Sequence, residues 1–109
     1  MVTVDMAKAS RQEVTLGAPV CGVMTAISSA SASIKAGASV LAGRRTMHVR
    51  NTSTSVAVRI GPSGMTARSG GFMLEPLASM EWTFDPAVGV DIFARSTGAA
   101  VELEIMESI

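Results

Sequence analysis

Five segments in the second half of the chain alternate apolar and polar residues: Met47 to Arg50, Val56 to Ile60, Met80 to Phe84, Val88 to Arg95 and Val101 to Glu107. In the last, Val101, Leu103 and Ile105 share one side, and Glu102 and Glu104 share the other. Successive side chains of a strand point to opposite faces, so this period of two predicts strands with one buried and one wet face. The expected inward set is Val49, Val56, Val58, Ile60, Met80, Trp82, Phe84, Val90, Ile92, Val101, Leu103 and Ile105.

Turn residues separate these segments. Gly61-Pro62-Ser63-Gly64 and Ser69-Gly70-Gly71 are turns, and Asp85-Pro86 ends the Trp82 strand because proline cannot donate to a ladder. The polar stretch Asn51 to Ser55 predicts a hairpin, and Ser96-Thr97-Gly98 predicts a second one at the end of the chain. Phe72 to Leu74 is short and apolar. Upstream, Gln12 to Leu16 and Val20 to Ile27 are β-prone, while Ser28 to Ser33 is a loop or one side of a loose hairpin. A helix over Ala18 to Leu41 is the weaker alternative, because serine, threonine and glycine interrupt it and caps are lacking. Strand starts recur roughly every 10 residues, the rhythm of a sandwich, jelly roll or small barrel. The expected fold is therefore all-β: residues 1–11 as a short N-terminal arm and residues 12–109 as a single antiparallel β-sandwich or jelly-roll domain.

Composition sharpens this in two ways. Hydrophobic residues make up 48% of the 109, yet aromatics only 4%, so the apolar content is largely aliphatic side chains and methionine. A mean hydropathy of +0.39 is high for a small monomer and is compatible with apolar surface buried between subunits. Ala-rich stretches alone would raise it equally. Charge is balanced overall but divided along the chain. Eight of the nine basic residues precede residue 71, and seven of the nine acidic residues follow it. Interleaved strands would turn that division into cross-strand pairs, the favoured reading; complementary surfaces for association are the other.

The chemistry on offer is sparse. Cys21 is the single cysteine and lies among apolar neighbours, so a buried, inert thiol is expected. His48 is the single histidine and shares a polar face with Thr46 and Arg50. No His, Cys and carboxylate spacing predicts a metal site, and no catalytic set or cofactor is expected. Glu102 and Glu104 on a wet face are expected to be solvated rather than a glycosidase pair. Trp82 is expected in the core; exposed, it would be a sugar-stacking platform. Arg44, Arg45, Arg50, Arg59 and Arg68 could touch nucleic acid, but zero net charge and scarce aromatics argue against a dedicated binder. Met1 to Arg11 lacks the apolar core of a signal peptide, and Gly17 to Gly43 is too interrupted for a membrane span. Asn51-Thr52-Ser53 matches a glycosylation acceptor without a secretory context.

Two stretches carry a resemblance. One is Gly43-Arg44-Arg45-Thr46-Met47-His48-Val49-Arg50-Asn51-Thr52 followed by Val56-Ala57-Val58-Arg59-Ile60-Gly61. The other is Gly70-Gly71-Phe72-Met73-Leu74-Glu75-Pro76-Leu77 before the Trp82 strand. Together they resemble a recurring pattern in small tailed-bacteriophage virion proteins, over roughly residues 43–107. The chain departs from that pattern in Pro76-Leu77-Ala78, where a Pro-Gly pair is commoner, and in a longer Ala/Ser-rich leader. The resemblance implies a non-enzymatic virion structural protein, first of all a capsid decoration (cement) protein stabilising the head lattice. Head-fibre, neck or tail subunits and a carbohydrate-binding sandwich module are the alternatives. It also implies a homotrimer, a major capsid protein or another virion protein as partner, and a place in the virion after assembly in the host cytoplasm. Lys8, Arg11, Arg44 and Arg45 are the candidate interface residues, with no membrane partner.

Overall fold

The computed structural model describes residues 19–109, and among them the chain forms eight strands and no helix. They are β1 (Val20–Ala26), β2 (Ala32–Ser33), β3 (Thr46–Asn51), β4 (Val58–Gly61), β5 (Phe72–Leu74), β6 (Ser79–Thr83), β7 (Phe93–Ser96) and β8 (Val101–Ser108). Two four-stranded antiparallel sheets result: a front sheet in the order β1-β8-β3-β6 and a back sheet in the order β2-β7-β4-β5. The protein is an all-β antiparallel sandwich. The proposed arm over residues 1–11 and the Gln12 to Leu16 strand lie outside the described residues.

The pairing is nested. The first strand pairs with the eighth, the second with the seventh, the third with the sixth and the fourth with the fifth. Those pairs fall alternately in the front and back sheets. Every connection therefore crosses between sheets except that from β4 to β5. Neither expected hairpin forms: Asn51 to Ser55 leads from front to back, and Ser96-Thr97-Gly98 leads from back to front. Both are as polar as a hairpin loop, and alternation alone carries no information about which sheet follows. Asn51 shows how the first crossover is held. It is buried, and its Nδ2 donates to the carbonyls of Val56 at 2.9 Å and Leu74 at 3.1 Å. Its Oδ1 accepts from the Ser53 amide at 2.8 Å. A backbone leaving a ladder must find such partners inside the protein. With its amide committed in this way, Asn51 is no glycosylation acceptor in the fold.

The core lies between the sheets. Met47, Val49, Leu103 and Ile105 come from the front, Val58, Ile60 and Leu74 from the back, and Ile34 from just past β2. Val56, Met80, Trp82, Phe84 and Ile92 are partly buried and pack against them. Val90 departs from the expected inward set and is exposed. The alternation from Val88 runs through a turn, and the strand begins only at Phe93. Both described ion pairs, Arg44–Glu107 and Arg50–Glu104, join the basic half of the chain to the acidic half. Interleaving thus accounts for part of the charge division.

Candidate interaction surfaces

The acidic residue Glu107 stands two positions after Ile105 on the inward side of β8 and is wholly buried. Burying a carboxylate without partners is costly, and Glu107 has three donors. The amides of Ala36 and Leu41 donate to its two oxygens at 3.0 and 3.3 Å, and Arg44 Nη1 donates at 2.6 Å. Arg44 is only 4% exposed. Its Nη1 also reaches the Ile34 carbonyl at 3.1 Å and Met47 Sδ at 3.4 Å, and its Nη2 donates to the Val90 carbonyl at 3.2 Å. The guanidinium lies 4.5 Å from the centroid of the Phe84 ring, within cation–π range. This pair ties the irregular segments around 34–44 and 84–91 to the end of β8. A recess of about 160 Å³ lies above it, lined by Leu41, Arg44, Phe84, Pro86 and Val90 among others. With Arg44 bonded to four acceptors, the arrangement is a structural lock.

Of the candidate interface residues, Lys8 and Arg11 lie outside the described residues. Arg45 is exposed. Arg44 belongs to the lock and is no surface contact, a correction that follows from its inward guanidinium. Among the other arginines, Arg59 stands directly opposite Arg95 in the back sheet. Arg59 folds onto the carbonyls of Ala67, Arg68 and Gly70, and Arg50 pairs with Glu104 at 3.8 Å.

The outer face of the front sheet is ordered by register. Cys21 stands opposite Met106, Met106 opposite His48, and His48 opposite Glu81. The next row holds Val23, Glu104, Arg50 and Ser79. Cys21, His48, Arg50, Glu104 and Met106 line an open groove of about 510 Å³ on this face. Cys21 is exposed, contrary to the expected buried thiol. Its neighbours are apolar, but β1 is a sheet edge and Cys21 shares the outward parity of Val23.

The sheet edges carry several of the exposed apolar side chains, others being Val88, Val90, Met106 and Ile109. On β1 and just after it the edge side chains are Val20, Val23 and Ile27. On β5 and the following turn they are Phe72, 72% exposed, with Met73 and Leu77. The two edges lie on opposite flanks. The β1 end meets β7 through the Ser96 amide and Ile27 carbonyl, at 3.0 Å, whereas β5 and β6 flank Asn51, which bonds Leu74 and Ala78. Leu77 is unusual among them. Its φ is 63°, it follows Pro76, and the Ala78 amide closes the turn on the Glu75 carbonyl at 3.0 Å. A type II turn takes a left-handed residue at this third position, normally glycine. The departure from Pro-Gly noted in the sequence therefore puts a large, 52% exposed side chain in a glycine slot.

Trp82 is half-buried and packs against the core. Among the described residues no group of three His, Cys, Asp or Glu side chains is placed to hold a metal ion. Sequence reasoning missed the Glu107 lock and the apolar edges. Parity gave a signal for Glu107, which is in step with Val101, Leu103 and Ile105. No family model, curated protein or solved structure matched the chain.

Proposed function

We propose that this chain is a non-enzymatic structural protein of a bacteriophage particle, a decoration protein that trimerises on the head shell. The observation that carries this reading is the nested strand order. Pairing first with eighth, second with seventh, third with sixth and fourth with fifth supports a jelly-roll reading of the sandwich. That eight-stranded, double-sheet architecture recurs in viral capsid and lectin domains. A fold hosts many functions, so the surface must add to it. Here the apolar edges on opposite flanks support assembly, because two different patches on opposite sides join copies head to tail and close a ring when the rotation allows. Leu77 supports it further. Retaining a strained, exposed leucine where glycine would relax the turn suits a contact residue. The lectin alternative gains less, since Trp82 faces the core rather than solvent.

Sedimentation velocity on the full chain tests the assembly. The expected species at micromolar concentration is a trimer, and replacing Phe72 and Leu77 together by serine should yield monomers with an unchanged fold. Wild-type protein that stays monomeric and does not bind undecorated heads would overturn the proposal.

A further inference from the structure

The row Arg95–Arg59–Met73 crosses the outer face of the back sheet, with the two arginines on adjacent strands. We propose that this face binds a phosphate-type oxyanion through the guanidinium groups of Arg59 and Arg95, with Arg68 adding charge beside them. This inference is independent of the proposed structural role, which rests on the strand order and the sheet edges.

Like charges directly opposite across a ladder are destabilising. Neither arginine has a carboxylate to offset this, since the ion pairs among the described residues belong to Arg44 and Arg50. The strands of the back sheet contain no acidic residue, and the strand carboxylates Glu81, Glu102, Glu104 and Glu107 all lie in the front sheet. Backbone carbonyls compensate in part. Arg59 donates to Ala67, Arg68 and Gly70 at 3.3, 2.7 and 3.4 Å, and Arg95 donates to Ser28 and Met65 at 2.8 and 3.0 Å. Both guanidinium groups therefore end on the stretch 65–70, which also carries the exposed Arg68. A guanidinium has five N–H donors, so these bonds leave donors free on both arginines. Two further donors nearby lack acceptors. Ser33 stands opposite Phe93, and one step along the same ladder brings Ser31 beside Arg95. The Oγ atoms of Ser31 and Ser33 are buried without a hydrogen-bond partner among the described residues. Orphaned buried hydroxyls of this kind point to a water or an ion as the missing partner. The face thus has an excess of donors and of positive charge, which an acceptor-rich anion offsets. A carboxylate brings one charge and two oxygens. A phosphate brings a charge of up to about −2 and three strong acceptor oxygens, the better match to two like guanidinium forks.

The test is isothermal titration of the full chain with inorganic phosphate at low ionic strength, where exposed charges are least screened. The wild type should bind one ion per chain with a Kd of about 1 mM or tighter. Arg95→Gln should weaken binding by about tenfold or more, the effect of losing one charge-assisted contact. Arg68→Gln should weaken it severalfold, and Arg50→Gln, on the front sheet, should leave it unchanged. Urea midpoints show which variants remain folded. If Arg95→Gln does not fold, Arg68→Gln carries the test, because the Arg68 side chain makes no hydrogen bond among the described residues. Dimethyl phosphate, with a single charge, separates the sources of the ligand. Weaker binding than inorganic phosphate assigns the site to a free or terminal phosphate, and equal binding assigns it to a phosphodiester. The proposal is overturned if the wild type shows no saturable binding up to about 10 mM phosphate. It is equally overturned if the folded variants Arg95→Gln and Arg68→Gln stay within twofold of the wild type.

Discussion

Replacing Glu107 by alanine removes the carboxylate that accepts from Arg44 and from the amides of Ala36 and Leu41. Arg44 would remain with its guanidinium 4% exposed and its counter-charge gone. Breaking a buried pair from one side costs about 3–5 kcal/mol, because an uncompensated charge is left inside. Reopening the segments around 34–44 and 84–91 would relieve part of that by admitting water, so about 3 kcal/mol is the expected net loss. A domain of 109 residues has roughly 5–15 kcal/mol in all, so this single change takes a large share. In urea, with a slope of about 1–3 kcal/mol per M, the midpoint should fall by at least about 1 M. The comparison is Glu104→Ala, which breaks a 3.8 Å pair whose side chains are more than half exposed and should cost about 0–1 kcal/mol. Replacing Arg44 and Glu107 together by leucine should recover most of the loss, since no buried charge then remains. A Glu107→Ala cost below about 1 kcal/mol would refute the reasoning. So would amide exchange that leaves Ala36 and Leu41 as protected as in the wild type.

Other substitutions test register, close approach and strain. Leu103→Ala should cost about 2–5 kcal/mol and Met106→Ala less than about 0.5 kcal/mol by urea unfolding; the reverse order would mean the β8 register is inverted. Gly22→Ala should cost at least about 2 kcal/mol, because its new Cβ would fall against the Ala36 carbonyl, and a neutral result would contradict that close crossing. Leu77→Gly should leave the monomer as stable as wild type or up to about 1 kcal/mol more stable, the relief of left-handed strain being partly offset by glycine's entropy. The same variant should weaken self-association in sedimentation, whereas a destabilised monomer or unchanged association would count against Leu77 as a contact residue.

The period of two was legible because one face of each strand is wet. It placed Val49, Val58, Ile60, Val101, Leu103 and Ile105 inside, where they are. Sheet membership was not legible. A polar crossover such as Asn51 to Ser55 has the composition of a hairpin, and only the long-range partners of Asn51 distinguish the two. Val90 misled because alternation continued by chance through a turn, while Cys21 misled because apolar sequence neighbours do not bury a residue on the outward side of an edge strand. Arg44 and Glu107 stand 63 positions apart. Each is an ordinary charge in its local sequence, and the nested topology makes them partners.

Quantitative mass spectrometry of purified particles, made by the genome that encodes this chain, tests the decoration role most directly. Hundreds of copies per particle, in constant ratio to the major shell subunit, are the expected result. A dozen or fewer would contradict a decoration role and favour a neck or tail position, and absence from the particle would contradict a virion role altogether.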